Sequence, residues 1–208
     1  MSLSVDEQKK AFRVAAKAKR LQAFQDHPQA GVQIAQTISG TVKLPTQSKV
    51  SVFWPLAEEL DTLPILHALH VAGHQVLLPI MQGAGKPLLF GCWAPGDVLV
   101  EAAFKTLEPG PDQARMTPDV MLCPLLAFDR KGYRMGYGGG FYDRSIAHIK
   151  AQGELHTIGI AFAAQEVDDI IIDEFDEPLH MIITEQEVIH ITHHYQPDHR
   201  HCERSEAT

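Results

Sequence analysis

Five of the chain's 15 glycines fall within one stretch, Gly132-Tyr133-Arg134-Met135-Gly136-Tyr137-Gly138-Gly139-Gly140-Phe141-Tyr142-Asp143-Arg144. Glycine reaches positive φ without strain and lets a ligand come close to the main chain. After the glycines, Phe141, Ile146 and Ile149 recur at roughly helical spacing and Lys150 stands in the last turn, which predicts a helix opened by the loop. Free N–H groups at such an N-terminus, backed by the helix dipole, attract an anion. Arg134 and Arg144 flank the loop with planar donor forks suited to phosphate or carboxylate. The stretch is not a Walker A loop, since no Gly-Lys-Ser/Thr follows. Gly136-x-Gly138-x-Gly140 also misses the last spacing of the dinucleotide fingerprint. The reading is an anion cradle of a third kind, set against a tight connection with a glycine cap or bulge.

Other residues have types and spacing that suit chemistry. Lys9, Arg13, Lys17 and Arg20 lie at i, i+4, i+8 and i+11, one face of a helix, with no balancing acids on that face. They read either as a solvated stripe or as a surface that neutralises a nucleotide triphosphate. Glu59 and Trp54 follow a predicted strand, where ligands of open α/β sheets lie. There they offer a carboxylate for an amino-pyrimidine or pterin edge and an apolar wall, against a solvated acid and a core aromatic. The acids Glu166, Asp168, Asp169, Asp173, Glu174, Asp176 and Glu177 read first as a solvated run. One or two of them near the cradle suffice for a hard divalent ion bridging phosphates. From Ile189 to Thr208 five of the 12 histidines and Cys202 gather without regular ligand spacing, so a disordered polar tail is favoured over a zinc site.

The elements that position these residues follow from punctuation and period. A helix is predicted from about Ser4, which opens a capping box with Glu7, to His27 before Pro28. A shorter one is predicted from Val32 to Ile38. A strand over Lys49 to Trp54, a helix over Leu63 to Ala72 and a strand over Gln75 to Leu78 make a β-loop-α-β unit, with Asp61 or Thr62 as helix cap. Short strands are expected at Pro87 to Phe90 and Val98 to Val100. Pro118 to Pro124 reads as a buried strand with Cys123 in the core, Thr157 to Phe162 as another, and Met181 to Thr184 as the last of the sheet.

At 208 residues, 45% hydrophobic and 21% charged, the chain can bury one sizeable core. A net charge of −8 argues against nucleic acid as the partner. Three separated cysteines indicate neither a disulfide framework nor a zinc ribbon. With no apolar signal core or membrane-length run, a soluble cytoplasmic protein, off the membrane and monomeric, is expected.

Ala127-Phe128-Asp129, then Gly132 and the run Arg134 to Arg144, resembles the signature of the 5-formyltetrahydrofolate cyclo-ligase family, the methenyltetrahydrofolate synthetases. The first helix resembles that family's Lys-x-x-x-Arg element in Lys9 and Arg13. Phe53 to Thr62 resembles its substrate-binding segment, and Ile160 to Phe162 with Gln165, Asp176 and Ile182 to Glu185 its C-terminal segment. The likeness reaches about Glu187. It implies one α/β domain over 1–188, a three-layer α/β/α Rossmann-like sheet similar to sugar-phosphate isomerases and CoA transferases. It implies ATP held by Lys9, Arg13, Arg134, Gly136, Gly138, Gly139, Gly140, Phe141 and Tyr142, and folate held by Trp54, Glu59, Tyr137 and Phe141. Magnesium falls to Asp143 and Asp176, and the catalytic roles to Arg134 and Tyr142. The implied reaction is ATP-dependent cyclisation of 5-formyltetrahydrofolate. A non-catalytic folate- or nucleotide-binding regulator on the same fold is the alternative. Three features depart from the pattern: Gly139 stands where many members have lysine, His180 where an acid is frequent, and the His-rich tail has no counterpart.

Overall fold

The computed structural model describes residues 4–192. Helix α1 (Val5–Asp26) begins at the expected capping box, with the Glu7 N–H donating to Ser4 Oγ and the Ser4 N–H to Glu7 Oε2 at 2.8 Å, and it stops at His27 ahead of Pro28. Helix α2 (Ala30–Gly40) begins two residues before the expected Val32 and runs through Gly40. Strand β1 (Lys49–Ser51), helix α3 (Leu63–Val71) and strand β2 (Gln75–Ile80) form the expected unit, β1 and β2 being parallel. Asp61 Oδ1 accepts from the Leu63 N–H at the start of α3. The Thr62 hydroxyl instead donates to Phe53 O at 2.7 Å, tying the helix to the loop that leaves β1.

The sheet is completed by β3 (Leu89–Cys92), β6 (Val120–Cys123), β9 (His156–Ile160), β10 (Met181–Ile183) and β11 (Val188–His190), after β4 (Leu99–Glu101) and β5 (Leu107–Pro109) have formed a separate hairpin. Its order is β11-β10-β9-β6-β1-β2-β3, with parallel pairing throughout the middle and antiparallel strands at both edges. Strand β11 corrects the expectation that Met181 to Thr184 closes the sheet and that a disordered tail starts at Ile189. Ile189 is buried and pairs with Ile182. The rest of the expected tail, residues 193–208, lies outside the described residues.

Both faces of the sheet are covered, which is why β6 reads as a continuous apolar run. Val50, Val76, Val120, Leu122, Ile158 and Ile183 pack against Ile34 and Ile38 of α2 and Ile65, Leu66 and Leu69 of α3. Leu77, Met121, Cys123 and Ile182 pack on the other side, with Ile146 and Ile149 of helix α4 (Phe141–Lys150). Three layers result.

From β1 the chain crosses on one face to β2, and from β6 it crosses on the other face to β9, so the connections part between β1 and β6. Such a parting leaves a crevice at the carboxyl ends of the two strands. The loop after β1 carries Trp54 and Glu59. The chain after β6 makes a small hairpin, β7 (Ala127–Phe128) with β8 (Arg134–Met135), and then enters the glycine loop. Buried Asp129 fixes the hairpin by accepting from the N–H groups of Lys131, Tyr133 and Ile170 at 3.0 to 3.1 Å. Ala16 of α1 packs on Leu126, Ala127 and Met135, which lays α1 across this crevice.

Candidate active site

The glycine loop enters α4 through Gly140, whose φ of 63° makes it a left-handed N-cap. Gly138 has φ of 99°, and a Cβ there would lie 3.2 Å from Arg13 Cζ. Positive φ and the close approach of Arg13 both demand glycine. Arg13 Nε donates to Gly136 O at 3.0 Å, so α1 lies against the loop. Arg144 closes the other side, donating from Nη2 to Gly139 O at 2.6 Å with its guanidinium 5.4 Å from the Phe141 ring centre.

The ends of the basic stripe, Lys9 and Arg20, are therefore buried, while Arg13 is half-buried and Lys17 exposed. Lys9 is buried and donates to Asp173 at 2.8 Å and Asp176 at 2.6 Å. Arg20, 7% exposed, donates to Glu59, 6% exposed, and to the Tyr137 hydroxyl, which itself donates to Glu59. The Lys17 ammonium lies 5.8 Å above the Tyr137 ring. The acids that balance the stripe come from distant segments, which corrects the impression that it is unbalanced. Burial of Lys9 alone would lower its pKa, but the two aspartates hold it above the ordinary lysine value; the Lys9 hydrogen bond in turn holds the Asp173 carboxyl below the usual aspartate value. Burial and the Glu59 carboxylate push the Tyr137 phenol up, so it keeps its proton and donates it to Glu59.

Arg134 sits at the start of the loop with its side chain 3% exposed. Its Nη2 donates to Asp143 Oδ1 and its Nη1 to Glu177 O, both at 2.6 Å. The Glu177 N–H also reaches Asp143, at 3.3 Å, so Asp143 meets the segment that carries Asp176. Asp143 is thus held by Arg134, and Asp176 by Lys9. Trp54 is half-buried, edge-on to Trp93 at 6.5 Å, beside the Glu59 loop. Between α1 and the strand ends remains a recess of about 10 Å³, lined by Arg20, Phe53, Glu59, Leu125, Ile160 and Gln165 among others.

Residues 5–185 match the 5-formyltetrahydrofolate cyclo-ligase family. The 5-formyltetrahydrofolate cyclo-ligase of Escherichia coli K12 is 38% identical over 148 residues, covering 67% of this chain and 79% of that one. The chain belongs to this family. The cyclo-ligase of Mycolicibacterium smegmatis is 33% identical over 143 residues, 65% of this chain and 72% of that one. The fold is that of the Aquifex aeolicus 5,10-methenyltetrahydrofolate synthetase, at a TM-score of 0.75 and 22% identity, covering 94% of this chain and 99% of the other.

Among the residues that the family resemblance singles out, Arg13, Gly136, Gly138, Gly139, Gly140 and Phe141 lie around one loop, and Glu59 and Tyr137 are joined by a hydrogen bond. Phe141 and Tyr142 also pack on the α4-side core. Burial pushes the Tyr142 phenol well above its ordinary value, so it keeps its proton. The Arg134 fork is occupied by Asp143 and the Glu177 carbonyl inside the protein. Asp173, one of the acids of the run read from the sequence, shares Lys9 with Asp176. His180 accepts from the Thr157 N–H and stacks on His156 at 4.9 Å, at the N-terminal ends of β9 and β10.

Among the described residues no three His, Cys, Asp or Glu side chains converge into a metal cluster. A magnesium ion bridging phosphates needs only one or two carboxylates beside its waters. Asp143 and Asp176 are hard oxygen donors brought to one segment, and they fit that modest demand. No helix of the described residues is long and apolar enough to cross a membrane.

Proposed function

We propose that this chain converts 5-formyltetrahydrofolate and ATP to 5,10-methenyltetrahydrofolate, ADP and phosphate. The observation that carries the assignment is that the basic face of α1 lies on the glycine loop at the N-terminus of α4, next to Glu59. Triphosphate and pterin sites then share one crevice.

The formyl group on nitrogen 5 is an amide, with a weakly electrophilic carbon and an oxygen that leaves poorly. Transfer of the γ-phosphoryl group to that oxygen remedies both. Nitrogen 10 then attacks the carbon and loses its proton, and the oxygen departs with phosphate. No protein nucleophile takes part, so positioning and charge neutralisation do the catalysis. Lys9 and Arg13, with the amides of Gly136, Gly138, Gly139 and Gly140, hold the polyphosphate. Glu59, Trp54, Tyr137 and Phe141 hold the pterin, and protonated Tyr142 donates a hydrogen bond at the loop. Asp143 and Asp176 would hold magnesium, which neutralises phosphoryl charge when bound. Arg134 orients Asp143.

Methenyl product is followed by its absorbance with and without ATP. ATP-dependent formation supports the assignment. Folate binding with no ATP-dependent product would instead make the protein a non-catalytic binder.

A further inference from the structure

The proposed reaction leaves Arg20 without a task, although its surroundings are those of a ligand contact. The side chain is 7% exposed, and its Nε is buried without a hydrogen-bond partner. A buried donor left unmet is costly, and native structures keep one where something else meets it. Arg20 also lines the recess beside Glu59, whose volume of about 10 Å³ admits roughly one water. The Tyr137 hydroxyl bridges these two side chains. It donates to Glu59 Oε1 and accepts from Arg20 Nη1. Glu59 and Arg20 thus present an acceptor beside a donor, and Tyr137 answers both with one oxygen.

One edge of a tetrahydropterin ring offers the same sequence of polarities over three atoms: the 2-amino group and N3–H donate, and the 4-oxo oxygen accepts. We infer that Arg20 and Glu59 together read this edge. Glu59 accepts from the two N–H groups, Arg20 donates to the 4-oxo oxygen, and the Tyr137 hydroxyl holds the place until the ring displaces it. The fork of an arginine suits this role, since Nε and Nη donate in one plane. The inference rests on the proposed function and adds to it the residue that distinguishes a 4-oxo ring from a 4-amino ring.

The test is equilibrium binding without ATP, by protein fluorescence, of 5-formyltetrahydrofolate and of a 4-amino pteridine, in which a donor replaces the acceptor. The parent protein should prefer the 4-oxo ring. Arg20→Met should weaken 4-oxo binding by about 10- to 100-fold, the range of a charge-assisted hydrogen bond, and leave the 4-amino ligand within about twofold, so the preference collapses. The ratio is read within one variant, so an unfolded fraction cancels. If Arg20→Met fails to fold, Arg20→Lys carries the test, and its ratio should fall because a point charge does not reproduce the fork. A folded Arg20 variant that keeps the parent's preference overturns the inference alone if the parent still cyclises its substrate. A parent that neither binds nor cyclises 5-formyltetrahydrofolate overturns the proposed function with it.

Discussion

If Arg134 acts through Asp143, removing the two partners should have unequal effects on stability and non-additive effects on rate. Breaking a buried ion pair by deleting one partner costs about 3–5 kcal/mol, because the other is left charged in the interior. The two ends of this pair differ in burial: the Arg134 side chain is 3% exposed and that of Asp143 25%. Asp143→Ala strands a guanidinium that water does not reach, so its cost belongs at the upper end, about 4–5 kcal/mol. Arg134→Met strands a carboxylate that meets water and still accepts from the Glu177 N–H, so about 2–3 kcal/mol is expected. With a urea m-value of about 2 kcal/mol/M, the midpoints of the two variants should differ by about 1 M, Asp143→Ala being the lower. The kinetic half of the test is a double-mutant cycle on kcat with Arg134→Met and Asp143→Asn. Arg134→Met should lower kcat in the parent and add almost nothing to Asp143→Asn. A guanidinium that touched the transferring phosphoryl group itself would contribute an independent factor of about 10³ or more. Multiplicative losses, or urea midpoints in the reverse order, would refute the positioning role.

Four further outcomes are expected. The Asp173 carboxyl is held below the ordinary value of 3.8 by Lys9, so its contribution to stability is present above that pH and lost as pH falls through the lowered value; the stability advantage over Asp173→Asn should vanish on that acid limb. Gly138→Ala forces a side chain into positive φ and toward Arg13, and it should raise the KM for ATP with a loss of about 1 kcal/mol or more in stability, read by thermal melting. Burial pushes the Cys123 thiol up to about 12, so a thiol reagent at pH 8 should leave Cys123 unmodified until the protein unfolds. Deleting residues 196–208 should shift Tm by less than about 2 °C, whereas truncation before Val188 removes β11, bares the β10 edge and should lower Tm by several degrees.

Much of the fold was legible because the signals that set it are local. Ser4 and Glu7 cap α1 across three residues, Pro28 ends it, and the alternation of Val120 and Leu122 with Met121 and Cys123 belongs to a strand buried on both faces. Local signals failed where tertiary pairing decides. Val188 to His190 is too short and too close to a polar, His-rich stretch to announce a strand. It becomes one because β10 offers a free edge and Ile189 finds a core site.

The site divides along the same line. The glycine loop was legible, since positive φ at Gly138 and Gly140 is a property of the residues themselves. The state of the stripe was not. Lys9 meets Asp173 and Asp176 across 164 and 167 residues, Arg20 meets Glu59 across 39, and Arg13 meets Gly136 across 123. Helical spacing shows that four cations share a face, but the spacing is the same whether that face meets water or protein. Burial separates the two cases, because charges withdrawn from water persist only when paired. Arg134 illustrates the same limit from the other side. Its place at the mouth of the glycine loop suggests a group that moves with a bound anion, while its burial against Asp143 and Glu177 leaves the fork little freedom to move. A chain that needs a mobile cation at this step has better candidates in Arg13 and Lys17, which are less buried and already lie on the loop.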